Sequence, residues 1–82
     1  MDNKLSSKYP ANARIAVRKL RGYVGKEILV EDLMNITGVM QTNVLNCIID
    51  ELKAANLVSE RKLGQNTFLK IDAKINDITI QS

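Results

Sequence analysis

Apolar side chains in this chain recur first at helical spacing and later in strand-like alternation. Ala13, Ala16, Val17, Leu20 and Val24 fall on one helical face. Pro10 suits the first position of that helix, where a missing N–H costs nothing. Gly22 and Gly25 bracket its end. Glu27-Ile28-Leu29-Val30 is a brief β-prone run. Glu31 to Ile36 reads as a short helix with Leu33 and Ile36 on one face, and Thr37-Gly38 breaks it. A longer helix is predicted from Gln41 to Ala55. Its buried stripe is Leu45, Ile48, Ile49 and Leu52, and Asn43, Asn46, Cys47 and Asp50 lie opposite. Asn56 stands where a left-handed cap is expected. Leu57 to Lys62 and Thr67 to Asp72 then read as strands joined by Leu63-Gly64-Gln65-Asn66, a β-hairpin with Leu69 and Ile71 facing inward.

Three isoleucines in the tail, Ile75, Ile78 and Ile80, need burial somewhere. Two places offer it: an extra strand covering the domain's own core, or a dimerisation arm. The second is the expectation adopted, because symmetric pairing doubles the contact area of a small domain. Residues 1–8 are polar and are expected to be a flexible arm. The organisation expected is therefore an arm over residues 1–8, a domain over 9–72 and a tail over 73–82.

Composition changes the picture mainly by exclusion. The chain has 82 residues, enough for one modest core, and 45% of them are hydrophobic, too many for a disordered chain. No apolar run has membrane-spanning length and the first residues carry no signal-peptide pattern, so a cytoplasmic protein is expected. A single cysteine, Cys47, excludes an internal disulfide. It has no neighbour that would make it reactive, so it reads as a small half-buried residue. There is no histidine, and the usual zinc sites need His or several Cys. No glycine-rich phosphate loop occurs. An enzyme, a cofactor, a metal and a small-molecule ligand are accordingly not expected.

Charge is distributed unevenly along a chain of net charge +3. Residues 1–26 hold seven Lys/Arg against Asp2, and residues 27–52 hold five acids and no base. Such asymmetry suits a polyanion-binding surface, or internal ion pairs on a solvated face.

The order of elements, from Ile28 to Ile71, resembles the winged helix-turn-helix superfamily. Val30-Glu31-Asp32-Leu33-Met34-Asn35-Ile36-Thr37-Gly38-Val39 looks like its strand, second helix and turn. Leu45, Ile49 and Leu52, followed by Asn56-Leu57-Val58, look like the core stripe of a recognition helix and its exit. Ser59-Glu60-Arg61-Lys62 through Phe68-Leu69-Lys70 looks like the wing. Asn56 departs from the usual glycine, and Gly38 to Leu45 is one residue longer than the common spacing. The fold implied is α+β: three helices with a small antiparallel sheet and a β-hairpin wing.

The resemblance implies sequence-dependent binding of double-stranded DNA, as a homodimer. It suits a transcriptional regulator or a plasmid or phage DNA-processing accessory factor. Gln41, Thr42, Asn43 and Asn46 are the candidate base contacts, since Asn and Gln can read adenine edges and Thr a thymine methyl. Arg61, Lys62, Gln65, Asn66 and Lys70 form the candidate wing contact. Arg14 and Arg18, with Arg21, form a candidate phosphate stripe, unless they pair with Glu31 and Asp32. The free face of the third helix has no Lys or Arg, and Asp50 and Glu51 would repel phosphate there. The alternative is a winged-helix module that binds another protein through that acidic helix and the isoleucine-rich tail.

Overall fold

A computed structural model describes residues 3–81. The elements run β1 (Asn3–Ser6), α1 (Pro10–Leu20), β2 (Glu27–Leu29), α2 (Leu33–Thr37), α3 (Thr42–Ala54), β3 (Val58–Leu63), β4 (Asn66–Ile71) and β5 (Ile78–Gln81). Short 3-10 turns follow α1, precede α2 and precede β5. The result is an α+β domain built on three helices and a small antiparallel sheet.

That sheet has the order β2-β4-β3, so the last of its strands in chain order lies in the middle. Ile28 pairs with Leu69, and Val58 with Ile71, which sends all four inward. All four are buried. The hairpin closes more tightly than the sequence suggests. Leu63 and Asn66 are themselves paired, leaving a two-residue loop. Gly64 has φ +63° while Gln65 does not enter the left-handed region, the pattern that a twisted hairpin prefers.

The helices cover the inner face of this sheet. Ala13, Ala16, Val17 and Leu20 of α1 meet Leu45, Ile48, Ile49 and Leu52 of α3 in one buried cluster. α2 is only five residues long because Glu31 and Asp32 belong to the preceding 3-10 turn. Gly38 ends it at φ +77°, a conformation that L side chains adopt only with strain. Thr37, just before, is fully buried. Its hydroxyl donates to Leu33 O at 2.7 Å and accepts from Val39 N at 3.2 Å, so it closes the turn from inside. Asn56 adopts φ +61° after α3, as expected of a left-handed cap.

The two termini depart from the sequence reading. Asn3–Ser6 is not a frayed arm: it forms β1, which runs parallel to β5 with Leu5 in register with Ile80. Residues 1 and 2 of that expected arm lie outside the described residues, as does residue 82 of the tail. Nor do the tail isoleucines form an arm reaching for a partner. Ile75 is 0% exposed, and Ile78 and Ile80 are buried in the same core as α1 and α3. The reason is length: five residues of 3-10 turn after β4 carry the chain across to α1 and seat β5 against it.

Candidate nucleic-acid interface

Helical periodicity positions the first group of candidate residues. Burying Val44, Leu45, Ile48, Ile49 and Leu52 on one side of α3 leaves Thr42, Asn43, Asn46 and Asp50 exposed on the other. Gln41 precedes the helix in extended conformation and is also exposed. Among the described residues, the side chains of Gln41, Thr42, Asn43 and Asn46 make no intramolecular hydrogen bond. Their donors and acceptors are available to an external partner.

The acids on this helix behave differently from one another. Glu51 is turned away from the free face. It accepts from Ser7 Oγ at 2.6 Å and from Lys8 N at 2.8 Å, anchoring the segment between β1 and α1. The thiol of half-buried Cys47 points at the same carboxylate, 3.9 Å away. Asp50 stays exposed among the amides. Lys53, the one cation of α3, is paired with Glu60 of β3 at 2.8 Å. That bond holds the Glu60 carboxyl below its usual range.

Strand alternation divides the candidate wing residues. Cross-strand partners share a face, so Arg61, Phe68, Lys70, Asn66 and Leu63 lie on the outer face of the sheet. Lys62 lies on the opposite face with Glu60 and Thr67, the side that meets Lys53 of α3. Gln65 sits at the loop. Arg61 and Lys62 therefore do not form one basic patch. Arg61 is moreover engaged within the chain. Its Nε donates to Glu27 Oε2 at 2.7 Å and its Nη2 to Glu27 Oε1 at 2.9 Å, with the guanidinium 5.4 Å from the Phe68 ring centre. The guanidinium lowers the Glu27 carboxyl pKa, and its own rises. Lys70 is in register with Glu27 on β2 and Ser59 on β3, so it too shares a face with a carboxylate.

Arg14 and Arg18 belong to a third place. Together with Arg21 and Thr79 they line an open groove between α1 and β5, of about 300 Å³, and no residue of α3 or the hairpin lines it. Neither pairs with Glu31 or Asp32: the ion pairs among the described residues are Lys53–Glu60 and Arg61–Glu27. Arg21 differs from its two neighbours. It donates through Nε to Ile75 O at 3.3 Å and through Nη2 to Ile78 O at 2.7 Å, fastening the tail to α1.

No protein-family model, curated protein or solved structure matches this chain. Lys53 and Thr79 escaped the sequence reading. Lys53 looks like an ordinary helix-end cation until β3 brings Glu60 to it. The outward position of Thr79 is legible in the Ile78-Thr79-Ile80 alternation, but its neighbours are not. No helix among the described residues is long and apolar enough to cross a membrane.

Proposed function

We propose that this chain is a winged-helix protein that binds double-stranded DNA in a sequence-dependent way, without catalysis. One observation carries the reading. The hairpin stands beside α3, and α3 presents Gln41, Thr42, Asn43 and Asn46 with every side-chain donor and acceptor uncommitted. A helix with one buried and one free face is the element that enters a major groove. Neutral amides on that face suit base edges rather than phosphates. The hairpin then supplies a second contact. Lys62 is on the side of the hairpin that meets α3 and Gln65 is at its tip, positions that suit phosphate and minor-groove contacts respectively. Arg61 contributes less than its charge suggests, since Glu27 neutralises it. A role as a transcriptional regulator, or as a DNA-processing accessory factor of a plasmid or phage, follows from this reading. So does binding as a homodimer, through a surface other than the buried tail.

Asp50 favours a second reading, a module that binds another protein. It lies exposed among the amides of α3, and Lys53 beside it is already paired. Selection of bound duplexes from a random pool, followed by titration against salt, separates the two. Enrichment of a defined site with affinity falling steeply as salt rises supports the DNA reader. Failure to retain any duplex at low salt overturns it in favour of the protein module.

A further inference from the structure

The groove between α1 and β5 gathers positive charge that no ion pair among the described residues balances. Arg14 and Arg18 are four residues apart on α1, so their side chains leave the helix on one flank about 6 Å apart. Like charges at that spacing repel, and an anion between them relieves the repulsion. Arg21 adds a third guanidinium, held in place by two tail carbonyls. Thr79 adds a hydroxyl from the strand opposite, where Lys4 of β1 is its register partner.

Among the described residues, no acid pairs with these arginines and no Asp or Glu lines the groove. Glu27 is bound to Arg61, Glu60 to Lys53, and Glu51 to Ser7 and Lys8. Asp72 caps its own turn by accepting from Lys74 N. Beneath the charges, Val17, Ile78 and Ile80 form an apolar floor.

We propose that this groove binds a phosphate-bearing ligand. The planar fork of a guanidinium matches two phosphate oxygens at once, and two forks one helical turn apart can grip a phosphoryl group from either side. The Thr79 hydroxyl supplies a further donor, and the floor accommodates a small organic body. The phosphoryl group comes from a free phosphorylated molecule or from a nucleic-acid backbone; the chemistry that recognises it is the same. The assignment does not depend on the DNA reading.

The test is a titration of the whole protein with inorganic pyrophosphate at constant ionic strength. It is followed by the NMR signals of the arginine Nε–H groups and of the Thr79 and Ile80 amides. The expected result is saturable shifts at Arg14, Arg18 and Thr79. In the Arg14→Gln, Arg18→Gln double variant, apparent affinity should fall at least tenfold while the core signals stay in place. Shifts that never saturate and that chloride reproduces overturn the proposal. So do shifts that persist undiminished in the double variant. A second arm titrates a short duplex and, separately, a sugar phosphate into both proteins. Groove shifts with the duplex, reversed by pyrophosphate, identify a backbone phosphate as the source. Groove shifts with the sugar phosphate alone identify a free ligand.

Discussion

Arg61 of β3 reaches across the central strand of the sheet to grip Glu27 of β2 with two hydrogen bonds of 2.7 and 2.9 Å. Its guanidinium lies over Phe68 of β4 on the way. One side chain thus links the two edge strands across the outer face of the sheet. An arginine that looks in sequence like a phosphate ligand is already occupied.

That pair makes stability depend on pH in a defined direction. The hydrogen bond from Arg61 lowers the Glu27 carboxyl pKa below its ordinary 4.5. The stabilisation is complete above the ordinary glutamate value, where the unfolded chain is also ionised. It is lost as pH falls through the lower, folded value. Carboxyl NMR titration should show Glu27 returning toward 4.5 in Arg61→Ala. The melting temperature of the variant should change less than that of the wild type between neutral pH and pH 3.

Lys62 and Arg61 should separate in DNA binding. Removing Lys62 takes away a cation that has no ion pair among the described residues, on the side of the hairpin that meets α3. Lys62→Ala should weaken duplex binding across sequences and reduce the slope of log affinity against log salt by about 0.9, as for one phosphate contact. Arg61→Ala should change that slope less. Equal changes in slope would mean that the Glu27 pair opens on DNA.

On α3, Asn43→Ala and Asn46→Ala should alter which duplexes are bound more than how tightly bulk DNA is held. A lost bidentate contact costs about 1–3 kcal/mol of discrimination at one base pair. Repeating the duplex selection with each variant should relax one position of the selected site. An unchanged site would remove these side chains from base reading.

Thr37 is a structural residue with a measurable hydroxyl. Thr37→Val keeps the shape but deprives the Val39 N–H of its 3.2 Å acceptor inside the core. Equilibrium urea unfolding should show a loss of about 1–3 kcal/mol, and Thr37→Ser should recover most of it.

The tail should behave as core. Ile75 is fully buried, so Ile75→Ala should cost about 2–5 kcal/mol of stability. Because the contact is made within one chain, the size of that loss should not vary with protein concentration. A loss that grew on dilution would instead point to an interface between chains.

The sequence by itself determined the local order of this protein. Apolar spacing located α1, α3 and the hairpin, the Thr37-Gly38 break and the left-handed Asn56, because helix and strand periods and caps act over a few residues. The free face of α3, with Gln41, Thr42, Asn43 and Asn46, was legible for the same reason. What the tertiary structure decided is which distant residues meet. It paired Asn3–Ser6 with the tail, whose register depends on two segments more than seventy residues apart. It placed Arg61 on Glu27, Lys53 on Glu60 and Glu51 on Ser7, and gave Arg14 and Arg18 no ion pair among the described residues. Charge in a sequence carries no direction. Only when strands alternate and helices pack does a cation acquire a neighbour, and that neighbour decides whether its charge is available.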